Sequence, residues 1–414
     1  MKIAIIGGGP SGSVSAALFA QNGHDVAIFD EGSRPEIISG ESLVPGVIPI
    51  FRRLGIEDQI AAISLLKPGV TFIPMGGKKI EFRFSSLPKK FPRYAYNTPR
   101  PALDEILEQC ALGFGATKIP KRAELISQGD KIELAPPSLD SVPQWNGSQP
   151  DFVIDASGRS RVSSKLMNIK ADIGPRRDVS HFAHFHGIHP EFPSGQVIIN
   201  RLESGWSWRI PLPGKTSFGI VLDRVAASNL GDSPEARLDA VLKNDPLLKA
   251  ETFEAKRISK VETYANYQLT STRGVGANWA CVGDAFGFVD PMLSPGILLA
   301  LKSAELLHQR CQFNNLNESL KSYSAEMVTN LNAWRYLIDF FYSGRIFELY
   351  DQGLDFQRKF QNLPIGFIDA FMTTNLASMA SGFTTASRFA QGILGFAERY
   401  MLENRAKISE YAIA

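Results

Sequence analysis

A glycine-rich turn near the amino terminus constrains the fold of this 414-residue chain more than any other feature. Residues 7–12 read Gly-Gly-Gly-Pro-Ser-Gly and fit the pattern G-x-G-x-x-G. In a dinucleotide-binding turn, Gly7 would permit the tight bend, Gly9 would let a pyrophosphate approach the backbone, and Gly12 would let the following helix pack closely on its strand. The pattern is weak evidence alone, so its surroundings decide its meaning.

The segments around the turn complete a dinucleotide-binding unit. Residues 2–6 are continuously apolar, as in a buried parallel strand, and residues 11–21 are a run of small residues typical of a closely packed helix. A second apolar segment, 24–29, ends at Asp30, whose carboxylate is placed to accept hydrogen bonds from ribose hydroxyls. The free amides at the start of the helix would face the phosphates. This order of elements predicts a Rossmann-like domain in an α/β fold.

Length, charge and cysteine usage exclude several other classes. A chain of 414 residues predicts two or three packed regions, and a net charge of +2 creates no strong attraction to nucleic acid or to an anionic membrane. Cys110, Cys281 and Cys311 have no close spacing, which argues against a disulfide framework or a zinc site and favours a reducing compartment. No stretch is long and apolar enough to span a bilayer. We therefore expect a cytoplasmic protein with no membrane span.

Two later segments determine which dinucleotide is expected. Residues 151–158 and 279–285 each read as an apolar strand that ends in a glycine turn, and a helix is predicted from about Pro295 to Gln312. With the amino-terminal unit, these segments resemble the flavoprotein group that includes aromatic hydroxylases, geranylgeranyl reductases and flavin-dependent halogenases. The resemblance covers most of residues 1–345 and implies that FAD is the cofactor.

The same resemblance implies which residues hold FAD. Asp284 would accept hydrogen bonds from the ribityl hydroxyls, and the helix that starts near Gly296 would direct its amides at the electron-rich edge of the isoalloxazine ring. Arg100 resembles an arginine that touches FAD in this group, and residues 40–43 resemble a loop beside the flavin. The predicted cofactor-binding residues are Gly7, Gly9, Gly12, Asp30, Glu41, Ser42, Arg100, Asp284, Gly296 and Ile297.

Two motifs resemble those of the flavin-dependent, tryptophan-halogenase-like subfamily. Residues 205–211 fit W-x-W-x-I-P, and residues 288–296 fit F-x-x-P-x-x-S-x-G with Ser294 at the serine. Alternation along a strand places Trp206 and Trp208 on one face, where their rings could wall the space beside the flavin. Aromatic packing in an ordinary half-buried strand is the alternative for the first motif taken alone.

Lys67 fits a third segment of the subfamily, K-x-G-x-x-F, over residues 67–72. The resemblance implies that reduced flavin and oxygen form a flavin hydroperoxide, that a halide attacks it to give hypohalous acid, and that the lysine directs the halogen to an electron-rich aromatic or pyrrole-like ring. An ordinary solvated lysine before a proline turn is the alternative. The predicted catalytic residues are Lys67, Trp206, Trp208 and Ser294.

One position departs from the halogenase pattern. Two neighbouring amides after the serine help to bind halide in that subfamily, but the residue after Ser294 is Pro295, which has no N–H. An FAD monooxygenase, a geranylgeranyl-reductase-like enzyme and a non-catalytic flavoprotein that binds a partner therefore stay open as alternatives to a halogenase. The expected partners of a halogenase are a small aromatic or carrier-tethered substrate, a separate flavin reductase and a halide ion.

Four histidines lie close together at positions 181, 184, 186 and 189. No carboxylate or cysteine at ligand spacing supports them, so they are interpreted as structural and no metal is predicted. Proline-rich residues 136–150 are predicted to form a surface loop.

The predicted architecture is an α/β fold with a Rossmann-like FAD-binding domain, an antiparallel β-sheet substrate domain and a C-terminal helical region. The FAD-binding domain is assigned to residues 1–65, 95–178 and 270–320, the substrate-domain sheet to 66–94 and 179–269, and the helical region to 321–414.

Overall fold

The computed structural model describes residues 1–32, 34–75, 79–188, 193–266, 268–349, 374–400, 402 and 412–413. Its strands are β1 Lys2–Ile6, β2 Asp25–Phe29, β3 Leu65–Lys67, β4 Gly69–Ile73, β5 Ile80–Arg83, β6 Ala95–Asn97, β7 Thr117–Ile119, β8 Leu125–Gln128, β9 Lys131–Leu134, β10 Phe152–Asp155, β11 Ala171–Ile173, β12 Asp178–His186, β13 Val197–Leu202, β14 Gly205–Leu212, β15 Lys215–Asp223, β16 Lys256–Arg257, β17 Glu262–Asn266, β18 Leu269–Ser271, β19 Trp279–Cys281 and β20 Gly287–Phe288. Its named helices are α1 Pro10–Gln21, α2 Ile48–Leu54, α3 Glu57–Ala62, α4 Arg100–Gly113, α5 Pro136–Leu139, α6 Val162–Leu166, α7 Arg224–Asn229, α8 Pro234–Asn244, α9 Pro246–Glu251, α10 Pro295–Arg310, α11 Leu316–Tyr342 and α12 Arg388–Tyr400.

A five-stranded parallel sheet carries the amino-terminal unit. Its strand order is β19-β10-β1-β2-β7, so the apolar segments predicted at 2–6, 24–29, 151–155 and 279–281 lie side by side. These strands are buried along most of their length because helices cover both faces of a parallel sheet. The Rossmann-like part of the fold prediction is confirmed.

The first helix packs unusually close to this sheet. Helix α1 follows the glycine turn directly, and ten of its twelve residues are buried. A β-carbon on Gly12 would lie 1.9 Å from the carbonyl oxygen of Gly7, and one on Gly7 would lie 2.6 Å from that of Ala156. Gly7 also has φ +104°, which a residue with a side chain rarely adopts. The glycines at these two positions therefore follow from the packing itself.

A second, eight-stranded sheet is mostly antiparallel. Its order is β16-β12-β15-β14-β13-β4-β5, and β17 also pairs with β12. The strands β13 and β4 are parallel neighbours, which the long stretch of chain between them permits. Short helices α7, α8 and α9 connect β15 to β16, which the sequence analysis did not predict. The antiparallel substrate sheet is confirmed as part of the fold, while the domain boundaries stay a prediction.

Helices complete the carboxy-terminal half. Helix α10 packs against α1 and α11, and α11 buries Leu331, Trp334, Leu337 and Ile338 along one face. The predicted helical region continues as helix at residues 374–380 and in α12, whereas residues 350–373, 401, 403–411 and 414 lie outside the described residues. Among the helices that the structure describes, none has the length and apolar character needed to cross a membrane.

The proline-rich segment 136–150 is not the surface loop that the sequence predicted. It forms the short helix α5 and a 3-10 turn at Pro143–Trp145, and the indole of Trp145 is fully buried. Each of these two short helices begins with a proline, a position where proline is tolerated, and this accounts for prolines in a helical segment.

Candidate active site

A large cavity of about 260 Å³ lies between the glycine turn, the start of α10 and the inner face of the eight-stranded sheet. Its wall draws on segments that are far apart in sequence and is lined by Gly9, Pro10, Ser11, Ser39, Gly40, Glu41, Ser42, Arg100, Ala156, Gly158, Phe182, Val197, Ile199, Trp206, Trp208, Ile210, Ser217, Asp284, Phe288, Pro291, Ser294, Gly296, Ile297 and Ala300. Ten of the fourteen predicted site residues border it.

One end of the large cavity is suited to phosphates and hydroxyls. Gly9 lies on the wall, and a β-carbon there would meet no atom within 4 Å, so the space beside it is open to a ligand. The first amides of α1 begin at the same place. Asp284 lies on the wall nearby, and burial raises the pKa of its carboxyl to about 6. A hydroxyl-bearing ligand would remove this desolvation cost by donating hydrogen bonds.

The carboxylate of Asp30 is hydrogen-bonded to other groups of the protein. Its carboxylate accepts hydrogen bonds from the amides of Gly8 and Gly32, each at 2.8 Å, and from Arg34 at 2.8 Å. Burial raises its pKa, but these hydrogen bonds and the Arg34 charge outweigh it, so the pKa lies below the usual value. Asp30 is outside the wall of the large cavity, and its contact with a ribose stays a prediction.

The loop before Glu41 fits tightly against Arg100 and Ile297. Gly40 has φ +97°, and a β-carbon on it would lie 2.7 Å from Nη1 of Arg100 and 3.3 Å from Ile297. Arg100 is buried, donates to the carbonyl of Ser39 and to Asp104, and is thereby held on the wall of the large cavity.

The turn before α10 has an unusual backbone. Leu293 and Ser294 both have positive φ, 68° and 56°, which costs on the order of 1–2 kcal/mol for each residue with a side chain. Pro295 is the first residue of the helix, so it offers no amide and the first available N–H is that of Gly296. Ser294, Gly296 and Ile297 all border the large cavity.

Trp206 and Trp208 lie side by side on the cavity wall, as their alternation in β14 predicts. Their ring centroids are 5.7 Å apart. The indole of Trp206 donates a 2.9 Å hydrogen bond to the Tyr342 hydroxyl, which in turn donates to Asp290 at 2.9 Å. Gly219 makes room for Trp208, because a β-carbon there would lie 2.3 Å from the indole ring. No sequence motif predicted a role for Gly219, Asp290 or Tyr342.

A second cavity, here called the apolar cavity, adjoins the large one. It has a volume of about 50 Å³ and is lined by Val44, Lys67, Val70, Phe72, Phe82, Arg83, Phe84, Val197, Ile199, Leu293, Ser294, Leu337, Phe341, Ile346, Leu376, Ala377, Ala380 and Ser381. Val197, Ile199 and Ser294 border both cavities, so only a thin wall separates them.

Lys67 lies on the wall of the apolar cavity and contacts Ser42, which lies on the wall of the large cavity. Its ammonium donates hydrogen bonds to Oγ of Ser42 at 2.7 Å and to the carbonyl of Leu43 at 2.8 Å. Only 1% of the residue is exposed, so the alternative of an ordinary solvated lysine is wrong. Burial lowers the pKa of Lys67 to about 7.

His184 contacts a predicted site residue. Its Nε2 lies 2.9 Å from Oε1 of Glu41, and both side chains are buried. Alternation in β12 places His184 on the same face as Phe182, which borders the large cavity, and this was the available sequence signal. In the described part of the chain, no group of histidine, cysteine and acidic residues is arranged to hold a metal ion; His189 lies outside the described residues.

The large cavity fits FAD at both ends. The open space beside Gly9 and the carboxyl of Asp284 suit the pyrophosphate and ribityl groups, and the tryptophan-lined sheet face suits a flat ring. The individual contacts of the predicted residues with FAD stay predictions.

Comparison with known proteins identifies the family. A sequence profile of the tryptophan halogenase family matches residues 2–91 and 78–346. A tryptophan 2-halogenase of Chondromyces crocatus is 28% identical over 318 residues, which are 74% of this chain and 60% of that protein. A 1H-pyrrole-2-carbonyl-[peptidyl-carrier protein] brominase of Pseudoalteromonas luteoviolacea is 26% identical over 338 residues, which are 78% of this chain and 80% of that protein.

Solved structures with a similar fold also include a flavin-dependent halogenase. The flavin-dependent brominase Bmp2 matches with a TM-score of 0.75 and 22% identity, over 96% of this chain and 100% of that one. The matched region spans less than two thirds of the length of the Chondromyces relative. FAD is the cofactor of flavin-dependent halogenases, in agreement with the prediction from the nucleotide motifs. The profile match, which extends over more than half of the sequence, shows that the chain belongs to the tryptophan halogenase family.

Proposed function

We propose that this protein is a flavin-dependent halogenase that acts on an electron-rich aromatic or pyrrole-like ring. The observation that carries the proposal is the position of Lys67, buried between a cavity that fits FAD and a separate apolar cavity. A halogenase needs this separation, because an oxidised halogen must reach the substrate while the substrate stays away from the flavin.

The contacts of Lys67 support a role between the cavities. Its partner Ser42 borders the large cavity, whereas Lys67 itself borders the apolar cavity. An ammonium has three N–H groups, and two are used by Ser42 and Leu43. The third has no acceptor among the described residues and is available to a small polar molecule between the cavities. Ser42 and Leu43 already fix the position of the ammonium, so little conformational entropy is lost when it binds a reactant.

The chemistry divides between cofactor and protein. Bound in its reduced form, FAD would activate oxygen so that a halide is oxidised to hypohalous acid. Lys67 would donate its third N–H to the oxygen of that acid and direct the halogen toward the apolar cavity. Trp206 and Trp208 would keep the substrate ring out of the large cavity, since both indoles lie on its wall. Ser294, which borders both cavities, would line the path between them.

The lining of the apolar cavity indicates the kind of substrate. Aromatic and aliphatic side chains such as Phe72, Phe82 and Phe341 form most of it. A small uncharged ring is therefore favoured over a free amino acid, whose ammonium would lose its solvation there. One relative is named for a carrier-linked pyrrole, so we propose phenols and pyrroles, free or carrier-linked, as the substrates to test.

A flavin monooxygenase is the second candidate, and Pro295 is the observation that favours it. Proline at the start of α10 removes one of the two amides expected to hold a halide. If halide binding fails for this reason, oxygen rather than halogen would be transferred to the ring. A separate flavin reductase and a cytoplasmic location stay predictions, as does a non-catalytic flavoprotein as the third possibility.

The deciding experiment supplies the purified protein with FAD, an independent flavin reductase with NADH, oxygen, and either bromide or chloride. Phenol and pyrrole-2-carboxylate, free and carrier-linked, serve as substrates, and mass spectrometry detects halogen isotope patterns. We expect a brominated or chlorinated product. A product that gains oxygen would support the monooxygenase, and no turnover of any substrate would support the non-catalytic alternative.

Lys67→Ala provides the matched test of mechanism. We expect it to abolish halogenation and to leave release of hydrogen peroxide intact, because Lys67 itself does not line the large cavity. Lys89→Ala is the control, since Lys89 is exposed. Halogenation at the normal rate in Lys67→Ala would remove Lys67 from the mechanism.

A further inference from the structure

Glu41, on the wall of the large cavity, forms a buried acid–base pair with His184 behind it, and the proposed function leaves this pair without a role. Oε1 of Glu41 and Nε2 of His184 are 2.9 Å apart, and the side chains are 3% and 7% exposed. Burial of two titratable groups destabilises a folded protein unless each group meets a suitable partner. The burial of this pair therefore costs folding free energy, which its mutual contact only partly offsets.

Oε2, the second carboxyl oxygen of Glu41, does not take part in the contact with His184. Among the described residues, His184 is the only side chain that hydrogen-bonds to the Glu41 carboxyl. Glu41 itself borders the large cavity. His184 is fixed in turn, because its backbone amide donates to Ser259 and its carbonyl accepts from Ile258. The strand β12 thus holds the imidazole, and the imidazole holds one oxygen of the carboxyl.

We propose that Glu41 donates a proton to oxygen as it is reduced in the large cavity, and that His184 is the residue that positions Glu41. The inference rests on the proposed function, in so far as reduced FAD meets oxygen there. The proton would reside on Oε2 of Glu41, while N–H at Nε2 of His184 donates to Oε1. After transfer, this hydrogen bond stabilises the carboxylate, and solvent returns a proton to it.

The proton balance requires such a donor. One anionic reduced FAD, one oxygen molecule and one proton give oxidised FAD and hydrogen peroxide. With one halide ion and two protons in place of one, the products are oxidised FAD, hypohalous acid and water. Oxygen receives two electrons from FAD in either case, and at least one proton must reach it from outside the cofactor.

Position separates Glu41 from the other charged groups near the large cavity. Arg100 on the same wall donates its N–H groups to Asp104 and to the carbonyl of Ser39, so these protons are already engaged within the protein. Asp284 follows Gly283, where a β-carbon would lie 2.8 Å from Oγ of Ser11, at the end of the cavity near the glycine turn. Glu41 lies instead beside Ser42, the partner of Lys67, and beside Gly40, which approaches Ile297 at the start of α10.

The test uses Glu41→Gln and His184→Gln in the FAD-loaded protein. His181→Asn is the matched control, because His181 is a fully buried histidine on the same strand that contacts Thr263 instead. Bound FAD is reduced without oxygen and then mixed with oxygen in stopped flow, in H₂O and in D₂O, with no halide and no substrate. Infrared difference spectra between the oxidised and reduced protein report protonated carboxyl groups.

We expect His184→Gln and His181→Asn to bind FAD within threefold of the unmodified protein, and Glu41→Gln is measured with FAD at saturation. Reoxidation should slow at least tenfold in Glu41→Gln and about threefold in His184→Gln, and it should be unchanged in His181→Asn. The solvent isotope effect should be lost in Glu41→Gln. The carbonyl band of a protonated carboxyl should vanish in Glu41→Gln and shift in His184→Gln.

Reoxidation of Glu41→Gln at the normal rate, or equal slowing in His184→Gln and His181→Asn, would overturn the proposal. Because halide and substrate are absent, the result is independent of halogenation. Slow reoxidation in Glu41→Gln together with no halogenated product from the unmodified protein would refute the proposed function alone. Halogenation with normal reoxidation in Glu41→Gln would refute this inference alone.

Discussion

The glycine-turn end of the large cavity and the apolar cavity are built in opposite ways. The first is formed by backbone, with Gly7, Gly9 and Gly12 within six consecutive residues. The second is formed by side chains from β3, β4, β5, β13, the turn before α10, α11 and residues 376–381. The pyrophosphate is a fixed group that amides can recognise, so a short motif suffices, whereas an apolar ring must be enclosed on all sides.

This difference predicts where a substitution can do harm. At Gly7 and Gly12 a single added carbon meets backbone, which can give way only if a whole element shifts. At the apolar cavity the same change meets side chains that can rearrange, so its effect depends on the volume added. FAD binding and substrate binding should therefore respond to separate substitutions.

The largest expected effect is at Gly12. Gly12→Ala places a β-carbon 1.9 Å from the carbonyl of Gly7, so α1 must move away from the sheet. We expect FAD affinity to fall at least a hundredfold, measured by fluorescence quenching, together with a lower melting temperature. Gly113→Ala in α4 is the control, because no atom lies within 4 Å of its added carbon. Equal FAD affinity in the two variants would break the proposed contrast.

The next effect concerns the apolar cavity. Ala380→Leu adds three carbons to a space of about 50 Å³, so it should fill most of it. We expect KM for the ring substrate to rise at least tenfold while FAD affinity stays within twofold. Ala325→Leu, an exposed site on α11, is the control. A weaker FAD affinity in Ala380→Leu would show that the two cavities are not separable.

The same contrast explains how much the sequence could predict. The parallel sheet, α1 and the cofactor cavity follow from local motifs, since the contact of Gly12 with Gly7 and the open space beside Gly9 lie within one short turn. Gly219 was missed, because its reason is the indole of Trp208 on the adjacent strand. The contacts of Tyr342 and His184 were not predicted for the same cause, as Trp206 and Glu41 meet them only through tertiary packing. Lys67 was found by spacing, but its burial was not predictable.

The third prediction tests the cost of placing a charge where the cavities adjoin. The pKa of Lys67 is lowered from 10.5 to about 7, so above pH 7 the unfolded chain holds a proton that the folded protein does not. The free energy of unfolding should therefore rise with pH between about 7 and 10 by roughly 2–4 kcal/mol from this residue. Lys67→Met should abolish that increase and be more stable at pH 7.

Urea unfolding of the FAD-free protein at pH 7 and pH 9.5 measures this effect. Lys89→Met is the control and should retain the pH dependence, because Lys89 is exposed. The ammonium form is lost above pH 7, so halogenation should also decline there while FAD affinity does not. A stability curve in Lys67→Met that parallels the unmodified protein would contradict the assignment of this pKa.

The smallest expected effect lies on the wall of the large cavity. Tyr342→Phe removes the hydroxyl that accepts from Trp206 and donates to Asp290, while the ring stays in place. The buried indole N–H loses that acceptor, which costs about 1–3 kcal/mol of stability. The indole should then be held less firmly, and more oxidant should be lost to side reactions. We expect the ratio of halogenated product to hydrogen peroxide to fall two- to fivefold, measured in one reaction mixture, with FAD affinity unchanged.

Tyr336→Phe is the control, because Tyr336 lies on the same helix and donates to Glu398, outside both cavities. If the two variants shift the ratio equally, the effect comes from α11 as a whole and Tyr342 has no particular part in holding Trp206.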